Sequence, residues 1–591
     1  MKMRFSAWPA FPAFPAWPAF RVAPISRSLL ASAVLSLLAA CALGPLQPDR
    51  TARAPDLKGF GELQAPITTA VPAAQRWYTQ GVLQAYAFNE VEAVRMFKAG
   101  LAQDPDCAMC AWGVAWQLGP NINNTDRSRV PEALRYLDHA LTHAARGTPR
   151  ERDLMAALAL RYGHGSQARE AREMAPLLAE RCGAKGEGNE KADPLDLAYA
   201  ERLRTLVAAA PTDPELLSLW AEAEMVATRA DWWDEKTGKA TGRIGDVTAA
   251  LERGLALQPR HIGLNHYLIH AADARGVAQR AEAAADRLGA LAPASPHLVH
   301  MPSHTYGRIG RYADAARVNE AAVAADVALA AEQKAQGFDN TKDWRNHDQH
   351  FLWFAALMQG RGDTAVQAAR ELAARAKGKH VYAEYVRSLP LLALQRLQRW
   401  DAVLQEPAPA PEAGAGLAQA LGEQARGVAY ARTGRVAEAR AALTKAETGA
   451  AAVAEAHKGK EGFDPVLREV AVSGTARLRA EIASAEGRHD EALKQQAESV
   501  TASQRADDGE PPMLAAGARV ALGDLQLRAG QPAQAEQTFR TDLALMPANG
   551  WALSGLARAL RAQGKSAEAE ALKAPLEQAW AQADGVLRAA R

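Results

Sequence analysis

The chain has 591 residues, well past the roughly 250–300 at which a single hydrophobic core stops growing, so it is several domains or one extended repeat array. With 48% hydrophobic and 23% charged residues, the composition is that of an ordinary soluble protein. A formal net charge of +2 gives no electrostatic case for nucleic acid or an acidic partner, and no nucleic-acid role is expected.

The N-terminus reads as targeting sequence rather than fold. Arg21 and Arg27 precede an apolar run, LLASAVLSLLAA, of 12 residues. That is too short to span a bilayer and suits a signal-peptide core. It ends in Leu38-Ala39-Ala40-Cys41, which resembles the lipobox of bacterial lipoproteins. The resemblance implies cleavage before Cys41, diacylation of its thiol and a lipid anchor in the cell envelope. Ala42 follows rather than Asp, which for such lipoproteins implies the outer membrane, facing the periplasm. Residues 1–40 are therefore expected to be a lipoprotein signal peptide, and the Pro-rich, aperiodic residues 41–73 a flexible tether. No later apolar run approaches the length of a membrane span.

From residue 74 an internal repeat sets in. Trp77, Gly81, Ala93, Phe97 and Pro105 occupy positions 4, 8, 20, 24 and 32 of the tetratricopeptide pattern, whose period is about 34 residues. Gly427, Ala439 and Leu443 fall in the same phase, as do Leu522, Gly523, Ala535, Phe539 and Pro547. Small residues at positions 8 and 20 let two antiparallel helices touch, and a proline at position 32 stops the second. The expected fold is all-α, a tetratricopeptide-type α-solenoid, that is, a right-handed superhelix of helix hairpins. A His-rich region over 74–400 would be followed by C-terminal repeats over 401–591. Gly-, Asn- and Asp-rich insertions around Asn121, Lys185 and Trp233, and a Pro-rich one from Glu406, are expected loops.

Two lesser features come early in the array. Cys107 and Cys110 form a CxxC that lacks the histidine of a haem-attachment motif, since Ala111 follows. Outside the cytoplasm a local disulfide or a pair of packed thiols is expected, with Cys182 left over. His139 and His143 are four apart on an expected second helix, where solvent exposure is the ordinary reading. Trp112 and Trp116 are packing residues or aromatic groove walls.

The densest signal lies in the middle. Of 14 histidines, eight fall between residues 261 and 350. In HIGLNHYLIHAADA the repeat starts at Ile262, so His266 and His270 take positions 5 and 9. In SPHLVHMPSHTYGRIGRYADA it starts at Pro296, putting His297, His300 and His304 at positions 2, 5 and 9 and Arg308 at position 13. After an insertion, Gly360 and Ala365 set the start at Asn346, so His347 and His350 take positions 2 and 5. These first-helix positions line the concave groove of tetratricopeptide proteins.

Imidazoles at i and i+4 converge on one point, a familiar metal-ligand spacing. Adjacent helix axes about 8–10 Å apart allow imidazoles from two such pairs to meet at a metal. His266, His270, His297, His300, His304, His347 and His350 are candidate ligands for a transition metal (Zn, Cu, Ni or Fe). Asp273, Asp348 and Glu222 are candidate carboxylate neighbours. The alternatives are a polar groove for a peptide or small ligand, built with Arg308, Tyr267, Tyr306, Asn265, Trp112 and Trp116, or a structural hydrogen-bond network.

The stretches AFNEVEAVRMFKAGLAQDPDCAMCAWGVAWQLGPNIN, HIGLNHYLIHAADA, HLVHMPSHTYGRIGRYADAARVNEAAVAAD and HDQHFLWFAALMQGR resemble a family of bacterial tetratricopeptide-repeat lipoproteins marked by HYxIH and HMPSH motifs. The resemblance covers residues 74 to about 370. It implies a protein–protein scaffold and no particular reaction. Members read Phe-Asn-His where this chain has Phe88-Asn89-Glu90, so Glu90 either replaces that histidine or marks an altered site. The expectation is a membrane-tethered periplasmic binding protein, with a protein or peptide in a His-lined groove that also suits a transition metal. The alternative is a metalloenzyme using the same histidines for hydrolysis or oxidation. Binding is preferred, because the sequence marks no catalytic acid, base or nucleophile.

Overall fold

The computed structural model describes residues 46–164, 193–228, 232–234, 237–339, 343–409, 416–459, 464–506, 510–514 and 517–585. The signal peptide, Cys41, Cys182 and the insertion around Lys185 lie outside the described residues. The regular elements of the described part are all helices; its one β-type contact is an isolated antiparallel bridge between Trp233 and Ala240. No helix among the described residues is long and apolar enough to cross a membrane.

The chain forms two compact units. Among the described residues one takes in 46–56 and 63–228, and the other 57–62 and 232–585. The division falls near residue 230. In both units each helix packs chiefly on its neighbours in sequence, the arrangement of an α-solenoid.

The repeat register is visible in single contacts. In the first unit, α1 (Pro72–Tyr86), α2 (Glu90–Gln103) and α3 (Ala108–Gln117) pack consecutively. Phe97 on α2 is fully buried. A Cβ on Gly81 would come within 2.5 Å of its ring, and one on Gly113 within 2.6 Å. Three helices thus meet at one aromatic side chain only because two of them carry glycine there. Near the other end of the chain Phe539 sits between Gly523 and Gly555 in the same way, at 2.4 and 2.3 Å. Phe97 and Phe539 are both position 24, which establishes one tetratricopeptide phase at both ends of the chain. Cys107 and Cys110 are joined as a buried disulfide at the start of α3.

The second unit holds the histidines. Its elements include α4 (Ile262–Ala271), α5 (Glu282–Leu291), α6 (Pro296–His300), α7 (Pro302–Ile309), α8 (Tyr312–Ala335), α9 (Arg345–Met358), α10 (Gly362–Arg375), α11 (Gly517–Arg528), α12 (Pro532–Leu545) and α13 (Gly550–Ala562). The late helices of this unit return to the histidine repeats. Trp551 Nε1 donates to Leu357 O at 2.8 Å. At Gly310, which ends α7 with φ +82°, the backbone lies so close to Pro547 that a Cβ would be 2.5 Å from its carbonyl oxygen.

Residues 46–71 carry no helix, as expected, but beyond residue 56 they are not a free tether. Leu57 and Phe60 are buried, and the Gly59 carbonyl accepts from Ala294 N at 2.9 Å, just before α6. In the other unit, Thr68 donates through N and Oγ1 to the Glu151 carboxylate at 2.7 and 2.6 Å. Apolar Leu57 and Phe60 supply burial that the Pro-rich composition concealed. Gly59 has φ +78°, and an added Cβ would meet Ala294 Cβ at 2.9 Å. Gly59→Ala is expected to lower stability by about 2–3 kcal/mol, from left-handed strain and an immovable methyl contact. Urea denaturation checks this; an unchanged midpoint would mean that the segment is not docked in solution.

Candidate metal centre

Short, well-capped first helices present the imidazoles. His261 Nδ1 accepts from Leu264 N at 3.2 Å and so caps α4, which gives this histidine a structural role. Ser295 Oγ caps α6 by accepting from Leu298 N, and Pro296 occupies its first turn. Pro302 has no N–H to continue the ladder, so α6 ends at His300 and α7 begins anew. His266 and His270 come from α4, His297 and His300 from α6, His304 from α7 and His347 from α9.

These six side chains converge. His266 Nε2 lies 3.1 Å from both His270 Nε2 and His297 Nε2. His300 Nε2 lies 3.1 Å from His304 Nε2, and the His300 and His347 ring centroids are 4.5 Å apart. Within His266/His270/His297, and again within His300/His304/His347, one ligand atom from each residue lies within 4.8 Å of the others. Imidazole nitrogens bound tetrahedrally to zinc at about 2.0–2.1 Å are themselves about 3.3 Å apart. The three Nε2 pairs at 3.1 Å are close to that spacing.

Hydrogen bonds fix which nitrogen faces inward. Asn319 on α8 donates through Nδ2 to Ala315 O, so its Oδ1 must accept, here from His300 Nδ1 at 2.6 Å. His304 Nδ1 donates to Asp273 Oδ2 at 2.9 Å, with Glu510 Oε2 at 3.4 Å. Both rings therefore turn Nε2 toward each other. If both are neutral, two lone pairs face across 3.1 Å, an arrangement that calls for a proton or a cation between them. Partners on the outer nitrogen are what ligating histidines require.

The electrostatics favour neutral ligands. Burial, then the charge of His304, lowers His270 to about 3. Burial and the same neighbour hold His300 well below the usual range, and burial, then His300 and His304, do so for His347. His304 is the exception. Burial alone would lower it, but the hydrogen bonds and charges of Asp273 and Glu510 raise it to about 9. Burial raises Asp273 too, yet Arg308 and His304 outweigh it and hold this carboxylate well below its ordinary value. Arg308 Nε lies 3.0 Å from Asp273 Oδ1 and its Nη2 lies 3.6 Å from Glu510 Oε1. Burial, reinforced by Asp273, raises Glu510. A pocket opens on this side, lined by His304, Arg308, Glu510, Phe351 and Phe354 among others.

Other expected site residues lie elsewhere. His350 is buried and does not join the cluster; its Nε2 is 3.1 Å from Tyr385 Oη, its ring stacks on Trp353, and burial lowers it to about 3. His266 and His300 are 0% exposed, His297 3% and His304 8%, so the imidazoles form an interior cluster. Asn265 is buried and bonds to Pro259 O, His261 O and Arg287. Tyr267 is buried and stacks on His266. Tyr306 donates to Asp286 Oδ1 at 2.8 Å. Trp112 and Trp116 belong to the other unit, buried and stacked on each other, with Nε1 atoms bonded to Leu154 O and Glu222 Oε2. Of the proposed groove residues, Arg308 alone lines the pocket named above.

Sequence reasoning missed Asn319 and Glu510. Asn319 had a signal: it is position 24, where Phe97 and Phe539 stand in other repeats. An amide where the pattern wants an aromatic marks a second helix that serves a polar interior. Glu510 had none, since it reaches His304 across some two hundred residues of chain.

No family model and no curated protein matches this chain. Among solved structures it is similar to the yeast Tom70, with 14% identity over 87% of this chain and 88% of that one and a TM-score of 0.22. It is also similar to the tetratricopeptide domain of P58(IPK), with 12% identity, 83% and 99% coverage and a TM-score of 0.20. A third is the human IFIT1 dimer with m7Gppp-AAAA, with 10% identity, 87% and 96% coverage and a TM-score of 0.29. Likenesses this distant carry no weight for partner or activity. What stands on the chain's own contacts is an all-α helical-repeat protein with an interior histidine cluster.

Proposed function

We propose that this protein binds transition-metal ions through its histidine cluster, within a helical-repeat scaffold tethered to the cell envelope by a lipid on Cys41. The observation that carries the metal reading is the set of inward-facing Nε2 atoms 3.1 Å apart, with the outer nitrogens of His300 and His304 held by Asn319 and Asp273. Imidazole-only donor sets suit Zn, Cu, Ni or Fe. The test is elemental analysis of the full chain made without a polyhistidine tag. A variant with His266, His270, His300 and His304 all changed to Gln is analysed beside it. Metal in the parent and none in the variant, with matching helical content, is expected. A parent that stays metal-free after incubation with Zn, Cu and Ni would sink the reading.

The anchor reading rests on the Leu38-Ala39-Ala40-Cys41 sequence, with the outer membrane facing the periplasm as its location. Cys41→Ser is expected to move the protein from the membrane fraction to the soluble fraction. Persistence in the membrane fraction would remove the lipid from the account.

A metalloenzyme is the second reading, and one observation favours it. The pocket with Arg308, Glu510, Phe351 and Phe354 borders His304. Three imidazoles leave a fourth position on a tetrahedral ion for water or substrate. Turnover of ester, phosphate or phenolic test substrates by the loaded protein, lost in Glu510→Gln, would favour it over storage or scaffolding.

A further inference from the structure

We infer that the histidines form two metal sites, one repeat apart, which hold two ions rather than one. The inference rests on the metal reading above and fixes its stoichiometry.

The argument is the repeat itself. In the repeat starting at Ile262, positions 5 and 9 are His266 and His270, and their partner His297 is position 2 of the following repeat. In the repeat starting at Pro296, positions 5 and 9 are His300 and His304, and their partner His347 is position 2 of the repeat after that. The two sets are one constellation, drawn twice. Each closes the seam between consecutive first helices, α4 to α6 and then α6/α7 to α9, and they share no residue. A single accidental cluster would not obey the period.

The same rule explains where the series stops. The repeat starting at Asn346 has His350 at position 5 but Phe354 at position 9. The next first helix, Val381–Arg396, offers His350 a tyrosine hydroxyl, Tyr385, in place of an imidazole. With one imidazole of three, that seam carries no third set.

Coordination chemistry separates the two sets. An ion bound by nitrogen at about 2.0–2.1 Å in a tetrahedral site takes four donors, so six imidazoles exceed what one such ion accepts. His297 and His300, three residues apart on α6, serve opposite seams: His297 meets His266 and His300 meets His304 and His347. The sets still abut, with ring centroids 6.3 Å apart for His297 and His300 and 6.4 Å for His270 and His304. Each ion keeps a fourth position. The second set also has Asp273, Glu510 and Asp348 close to its outer nitrogens, the last with Oδ1 3.4 Å from His300 Nδ1. Of these, Asp273 is the one held as a carboxylate, and its charge offsets part of that of an added ion.

The test counts ions. Full-length, tag-free parent, His270→Ala and His347→Ala proteins are stripped with EDTA, loaded with Zn(II), dialysed and analysed for zinc per chain. Two equivalents are expected in the parent and one in each variant. One equivalent in the parent, lost in both variants, would overturn the inference and leave a single shared ion. No zinc in any of the three, repeated with Cu(II), would overturn the metal reading itself. His270 and His347 are only partly buried, so alanine should be tolerated; should either variant fail to fold, His270→Gln or His347→Gln takes its place.

Discussion

Replacing Asn319 with leucine is expected to weaken the metal binding proposed for the His300/His304/His347 set by about 10- to 100-fold, the usual effect of removing the partner of a ligating histidine. Asn319 is 0% exposed, and its Oδ1 receives the His300 Nδ1 proton at 2.6 Å. Leucine has similar volume and no acceptor. The ring is then free to adopt the other tautomer or to rotate, and Nε2 no longer presents a fixed lone pair. The metal-free protein also loses about 1–3 kcal/mol, because the His300 donor is left in an apolar interior. Chelator competition in a His270→Ala background reads the second set alone, and thermal melts in EDTA read the stability term. Unchanged affinity in the Leu variant would mean that Asn319 is packing for α8 and does not orient His300. The first set should keep its affinity, since none of its three histidines is bonded to Asn319.

The residues that were legible in the sequence are those that obey the period. Gly81 with Phe97 and Gly523 with Phe539 fix the repeat phase, because only a missing Cβ admits the ring. The pairs His266/His300 and His270/His304 were visible for the same reason: they recur at one repeat length, on one helix face. That phase also explains why His350 stands apart from the two sets. Position 5 looks across a seam to the following repeat, so its role depends on what that repeat offers. For His266 and His300 it offers histidine; for His350 it offers Tyr385. Burial was the second gap. Sequence position says which face a side chain occupies, not whether that face meets water. The late helices of the same unit, with Glu510 and Trp551, return to the histidine repeats, and no local pattern encodes that long-range contact. The docked segment of residues 57–62 was hidden by the Pro-rich composition around it.

A buried acid beside the cluster gives the metal-free protein a measurable pH dependence. Asp326 on α8 is 1% exposed. Burial, then the charge of Asp343, raises its carboxyl to about 7, with the Trp344 amide and Arg345 offsetting only part of this. Asp348 on α9, itself held well above the usual range by burial and by Asp326 and Asp343, belongs to the same group of acids. An unfolded aspartate has a pKa near 3.9. Between about pH 4 and pH 7 the folded state therefore binds a proton at Asp326 that the unfolded state lacks. Stability contributed by this group is greatest at low pH and falls as pH rises through about 7. Asp326→Asn removes the titrating charge while keeping shape. It is expected to stabilise the metal-free protein at pH 8 by on the order of 2–4 kcal/mol, and to change little at pH 4. Urea denaturation in EDTA at pH 5, 6, 7 and 8 measures the difference between the two proteins, which cancels the titrations they share. Parallel stability curves would overturn this assignment and mean that Asp326 is ionised in the fold across the whole range. The location gives the effect a consequence for the site. Asp326 packs where α9 begins, and Trp344 at that point stacks on His297 at 4.4 Å between ring centroids, three residues before His347. The Trp344 amide at the N-terminus of α9 favours the charged form of Asp326, though it does not outweigh burial, so Asp326→Asn tests the acid at the turn that delivers His347.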